Sequence, residues 1–140
     1  MSFLKTSELK PGGFLVLKHF MNQKQELGKK GEFIVKNHYL NLGYELLEES
    51  WRSGRREVDL IFSKNQKLIF IEVKSRNFNP FDFKEVPLSK KQVIGLKQAI
   101  LSYCFLNKVS PEKASLDLVL VTFKRTSKGV LIKKYHNICR

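Results

Sequence analysis

Between Glu26 and Leu42 the apolar side chains recur at helical spacing. Leu27, Ile34, Val35, His38 and Leu42 fall on one face, with Gly31 among them. Gly31 lowers helix propensity but permits close packing. Gly43 supplies a stop where a left-handed cap is wanted. The period then turns to alternation. It predicts three strands, Tyr44–Trp51, Glu57–Phe62 and Lys67–Ser75, joined by the polar turns Arg52-Ser53-Gly54-Arg55 and Ser63-Lys64-Asn65-Gln66. Links this short favour an antiparallel meander. An aromatic loop over 77–88 ends at Pro87-Leu88, and Ser89 with Gln92 three residues later forms a capping box. The helix behind it carries Val93, Leu96, Ile100 and Tyr103 on one side, with Ile94, Leu101 and Cys104 beside them. After a loop around Pro111, Leu116–Phe123 and Val130–Tyr135 read as strands joined around Gly129. A helical crossover between the third and fourth strands lets them run parallel, as a βαβ unit. The order αβββαββ describes one α/β domain over 26–140, with a mixed sheet flanked by helices. Residues 1–25 read as a Lys-containing extension with a Pro11-Gly12-Gly13 breaker, their conformation left open.

Composition narrows the function classes. A chain of 140 residues is one domain of ordinary size, and 42% hydrophobic residues with 15 Phe or Tyr exclude wholesale disorder. No apolar run approaches the ~18 residues of a membrane span. The run Gly12-Gly13-Phe14-Leu15-Val16-Leu17 is broken at Lys18 and is too short for a signal-peptide core. The expectation is a cytoplasmic protein with no membrane partner, in which Cys104 and Cys139 are free thiols. Against 13 acidic residues stand 26 Lys and Arg, a net charge of +13. Solubility or an acidic lipid surface would use such a surplus. A polyanion uses it better, because every phosphate neutralised releases a counterion.

The candidate chemistry lies in the middle strands. In Leu68-Ile69-Phe70-Ile71-Glu72-Val73-Lys74-Ser75-Arg76, alternation puts Glu72 and Lys74 on one face of a largely apolar strand. A carboxylate and an ammonium in such a strand cost desolvation energy. An exposed pair with cross-strand neighbours is the ordinary explanation of E-x-K. The preceding strand carries a second anomaly, with Glu57, Asp59 and Ile61 sharing a face. Twelve residues separate Asp59 from Glu72, a span a hairpin closes. Two facing carboxylates repel unless a cation lies between them. Hard oxygen ligands suit Mg²⁺ or Mn²⁺ rather than zinc. Lys74 would stand beside that ion, where it could orient water or offset negative charge.

Asp59 followed by Glu72-x-Lys74 across a hairpin resembles the core of the PD-(D/E)xK nuclease superfamily, with its restriction-endonuclease-like fold. Gly28-Lys29-Lys30-Gly31-Glu32, Glu57-Val58-Asp59-Leu60-Ile61 and Phe70 to Arg76 are similar to the three motifs of the YraN-like family of predicted nucleases. In plan the chain also resembles archaeal Holliday-junction resolvases. The resemblance spans 26–140. It implies that Glu32 completes or supports the metal site, that Asp59 and Glu72 are ligands helped by the carbonyl of Val73, and that Lys74 is the catalytic lysine. Glu57 matches a family acid of unassigned role. Val58 stands where the superfamily name has Pro. Residues 86–91 match a family stretch loosely, without deciding between Lys90 and Lys91.

Arg52, Arg55 and Arg56 read either as a solvated turn or as a phosphate clamp. With Arg76, Lys90 and Lys91 they form the candidate nucleic-acid-binding set, and Lys29, Lys30 and Lys97 could extend it. Phe78, Phe81 and Phe83 could stack on bases, although packing over the sheet edge explains most such aromatics. His38 reads as a satisfied core residue. No phosphate-binding loop, nucleophile elbow or zinc spacing is present. The expected function is Mg²⁺- or Mn²⁺-dependent hydrolysis of phosphodiesters in DNA, before RNA, with branched or single-stranded DNA as substrate forms. The alternatives are a nucleic-acid-binding protein that keeps the fold without cutting, and an interaction protein whose acids are locked in salt bridges. A homodimer is left open.

Overall fold

The structure is a computed structural model. It describes residues 14–81, 88–125 and 129–138, with side chains from Asn22 onward. Helix α1 spans Phe14–Asn41, followed by strands β1 (Glu45–Ser53), β2 (Arg56–Lys64) and β3 (Lys67–Asn77). Helix α2 (Lys90–Leu106) and a short 3₁₀ turn (Pro111–Lys113) lead to β4 (Ala114–Phe123) and β5 (Val130–Tyr135). The five strands form one sheet in the order β1-β2-β3-β4-β5. The β3–β4 pair is parallel and the other three are antiparallel. The αβββαββ order and the mixed sheet flanked by helices are as the sequence predicts.

Local chemistry explains the elements. The β2–β3 turn is tighter than the polar stretch suggests. Asn65 and Gln66 both take positive φ, 53° and 65°, and Lys64 pairs directly with Lys67. Two left-handed central residues match the twist of the flanking strands. Gly54, at φ 61°, serves the β1–β2 turn. The capping box of α2 forms in full. Ser89 Oγ accepts from Gln92 N–H at 3.1 Å, and Gln92 Oε1 accepts from Ser89 N–H at 2.8 Å.

The helices cover opposite faces of the sheet. Val35 and Tyr39 of α1 pack on Leu60, Phe62, Ile71, Val73, Val119 and Val121. Leu96, Ala99, Ile100, Tyr103 and Cys104 of α2 pack on Val58, Ile61, Phe70 and Leu116. The buried stripe of α1 runs through Gly31, Val35 and Tyr39, whereas Leu42 is exposed. The apolar face therefore differs from the predicted one. Tyr39 reaches the core because its ring stacks on Phe62, with centroids 5.4 Å apart. His38 also departs from expectation, since its Nε2 is buried without a hydrogen-bond partner among the described residues. Burial lowers its basicity, and nearby Lys134 adds to the effect. On α2, Ile94 and Leu101 lie on the exposed side. At Gly31 α1 lies directly against β3. A Cβ there would run into the side chain of Ser75 and touch Val73.

Candidate active site

The β2–β3 ladder runs from Lys64↔Lys67 to Leu60↔Ile71. One residue further, the Asp59 carboxylate takes over: its Oδ2 accepts the N–H of Val73 at 2.7 Å. Val58 and Ile61, three residues apart, both pack in the α2-side core, so β2 turns about its axis through Asp59 and Leu60. Asp59 is buried and Glu72 is half-buried beside it. The two carboxyl groups share a hydrogen bond. Burial raises Glu72 to about 9; the charge of Asp59 and that hydrogen bond add to the rise, and Lys74 opposes it. Burial also raises Asp59, against the hydrogen bonds from Glu72 and Val73. Burial and the mutual repulsion of the two carboxyls thus favour retention of a proton by the pair.

Glu32 reaches the same region from α1. Burial raises it to about 7, with further contributions from the charges of Asp59 and Glu57. Gly31 makes this approach possible by letting α1 settle against Ser75. Glu57 is tied to Arg52 at 3.1 Å, and Glu49 to Lys36 at 2.8 Å. Lys74 is half-buried, and its charge favours the ionised forms of both Asp59 and Glu72. Among the described residues no salt bridge within 4.0 Å joins it to either.

A cleft of about 400 Å³ opens beside Glu72 and Lys74, between the start of β2, β3 and α2, with Asp59 and Glu32 outside its lining. Glu57, Glu72 and Lys74 line it on the sheet side, and Arg55, Arg56 and Lys91 supply positive charge. Gly95 leaves room for the Arg56 guanidinium; a Cβ there would lie 2.6 Å from Arg56 Nε. The other members of the basic set lie elsewhere. Arg52 is exposed in its ion pair, Arg76 Nε donates to Thr122 Oγ1 at 3.3 Å, and Lys90 is exposed at the start of α2. Phe78 and Phe81 are exposed rather than packed over the sheet edge, and Phe83 lies outside the described residues.

The donor set fits a hard divalent cation in part. Asp59 and Glu72 are an oxygen pair whose repulsion is relieved by a proton, a role a cation can take. Among the described residues, however, no three His, Cys, Asp or Glu side chains form a ready-made cage. Of the expected ligands, Val73 is tied to Asp59 through its N–H. Sequence reading missed Asp117, a buried acid in the apolar run Leu116–Val121, which is the same signal that drew attention to Asp59. It also missed Gly95, whose role follows only from the approach of Arg56.

Fold and site together define an α/β protein with a buried, electrostatically coupled carboxyl pair and a lysine beside a basic cleft. The chain belongs to the family described as "Uncharacterised protein family UPF0102", which it matches over residues 31–121. This agrees with the resemblance to the YraN-like group. Among curated relatives, a UPF0102 protein of Syntrophus aciditrophicus is 26% identical over 74% of this chain and 82% of its own length. One of Chloroherpeton thalassium is 40% identical over 41% of this chain and 44% of its own. A third, of Lawsonia intracellularis, is 26% identical over 81% and 84%. Among solved structures, Pyrococcus furiosus SfsA in complex with Ca²⁺ aligns with a TM-score of 0.41 and 13% identity, over 78% of this chain and 62% of that one. Among the described residues no helix is long and apolar enough to cross a membrane.

Proposed function

We propose that this protein is a metal-dependent nuclease acting on DNA, with Asp59, Glu72 and Lys74 as its catalytic centre. The observation that carries the reading is the pairing of buried Asp59 with Glu72, which together with Lys74 lines a basic cleft. Mg²⁺ or Mn²⁺ bound by Asp59 and Glu72, with Glu32 in support, would acidify a water and offset phosphate charge. The remaining roles belong to the chain. Asp59 is oriented by the Val73 N–H. Lys74 supplies a positive charge next to the pair, suited to a developing oxyanion. Arg55 and Arg56 present guanidinium forks to phosphate oxygens, and Lys91 adds a point charge across the cleft. The structural subset of the basic residues, Arg52 and Arg76, serves the scaffold in this reading.

The test is a cleavage panel of linear, branched and single-stranded DNA and of RNA, with Mg²⁺ or Mn²⁺. Wild type should cut at least one DNA form and stop in EDTA. A Lys74→Ala protein prepared in parallel should bind DNA without cutting it, which also controls for contaminating nuclease. Absence of cutting on every substrate, or equal cutting by Lys74→Ala, would overturn the proposal. The missing third ligand in the described geometry favours one competitor, a nucleic-acid-binding protein that retains the architecture. It predicts salt-sensitive binding indifferent to metal.

A further inference from the structure

At the other end of the sheet, on the α1 side, lies a second cavity of about 440 Å³. Its chemistry is the reverse of the acidic pair. The register puts Lys64 directly opposite Lys67 on the last rung of the β2–β3 hairpin. The next strand adds Lys113, one position before the Leu68↔Ala114 rung. Three ammonium groups thus stand in a row across adjacent strand ends, and all three line the cavity. Like charges directly opposed across a ladder are destabilising. Lys64 is also fixed in place, for its Nζ donates to the Leu42 carbonyl at 2.7 Å and sits 4.7 Å from the centre of the Tyr44 ring. An ammonium has three donors, so two remain.

The fourth wall is a histidine held by a buried acid. Asp117 is only 5% exposed, and both its oxygens are engaged. Oδ1 accepts the Asn137 N–H at 3.0 Å. Oδ2 lies 3.1 Å from His136 Nδ1 and 3.5 Å from the Tyr39 hydroxyl. Asn137 is held at φ 52° to make its contact. With Nδ1 committed to the carboxylate, the imidazole is oriented and its Nε2 is left for the cavity. The His136 side chain is 70% exposed, so this ordering is not a consequence of packing. Glu112 is the acidic side chain that shares the lining with these groups, Asp117 being turned inward.

We infer that the cavity bounded by Lys64, Lys67, Lys113 and His136 is a binding site for a phosphate group, separate from the Asp59–Glu72 cleft. The ligand is inorganic phosphate or the terminal phosphate of a mononucleotide; the shared chemistry is a compact phosphate anion that accepts from the ammonium donors, while His136 Nε2 accepts from a phosphate hydroxyl or, in the imidazolium form, donates to a phosphate oxygen. The mirror-image logic applies at the two ends of the sheet, since crowded carboxyls call for a cation and crowded ammoniums for an anion. The inference does not depend on the nuclease reading.

The test is a titration of full-length protein with inorganic phosphate and, separately, with AMP, followed by amide and histidine-ring NMR shifts. Saturable shifts should centre on residues 64–67, 113–117 and 136–137. Lys67→Gln/Lys113→Gln should weaken phosphate binding at least tenfold while leaving the melting temperature, measured without phosphate, at or above wild type. His136→Ala should weaken it several-fold. AMP binding at least tenfold tighter than phosphate identifies a nucleotide as the source, and equal affinities identify free phosphate. Shifts confined to Arg55, Arg56 and Lys91, or spread over all surface lysines, would overturn the inference. So would unchanged affinity in the double lysine variant. A His136→Ala protein that melts earlier but binds phosphate as before would reduce the histidine to a clamp on the C-terminal segment and remove it from the site.

Discussion

Glu72→Gln tests the proton-sharing pair without assuming any activity. In the unfolded chain Glu72 ionises near 4.5, and in the folded protein near 9. Below pH 4.5 both states are protonated and nothing depends on the group. Above it the unfolded chain releases the proton while the folded protein keeps it, so folding becomes linked to proton uptake. Stability therefore falls as pH rises, by about 1.4 kcal/mol per unit, until both states are ionised near pH 9. Between pH 5 and 7 the loss is about 3 kcal/mol. For a chain of this length that corresponds to a fall in melting temperature of about 10 °C. Glu32, raised to about 7, adds a smaller loss of the same sign over the lower part of the window. Glutamine keeps the shape, can donate a hydrogen bond to Asp59 and does not titrate. Melting curves at half-unit steps from pH 4.5 to 9 should show the variant overtaking wild type as pH rises, with the gap widening to neutrality. Parallel curves for the two proteins would refute the raised carboxyl and, with it, the close approach of Asp59 and Glu72.

Three further outcomes follow from packing and charge. Gly31→Ala drives a methyl group into Ser75; overpacking of this kind costs about 1–3 kcal/mol, and Ser75→Gly in the same chain should restore most of the lost melting temperature. Ser89→Ala removes the side-chain half of the α2 cap and should cost about 1 kcal/mol in chemical denaturation, without altering the site. If Arg56 holds phosphate, Arg56→Gln should lower the slope of log affinity for DNA against log salt by about 1, whereas Arg52→Gln should leave it unchanged, because Arg52 is engaged with Glu57.

Much of the architecture is legible in the amino-acid order because its causes are local. Alternation from Tyr44 to Ser75, turns too short for anything but hairpins, and Ser89 three residues before Gln92 each act within a few residues. They specify αβββαββ and single out Asp59, Glu72 and Lys74 as charges in apolar strands. The buried face of α1 was less legible: Leu42 and Tyr39 both suit a helical stripe, and only the ring of Phe62, brought from β2, selects Tyr39. The proton between Asp59 and Glu72 belongs to the tertiary structure, since it depends on how deeply and how closely two carboxyls are held. The place of Arg56 over Gly95 and the row of Lys64, Lys67 and Lys113 are likewise products of assembly. They arise when α2 settles on the sheet and β4 docks parallel to β3, and distances across strands and layers have no counterpart in spacing along the chain.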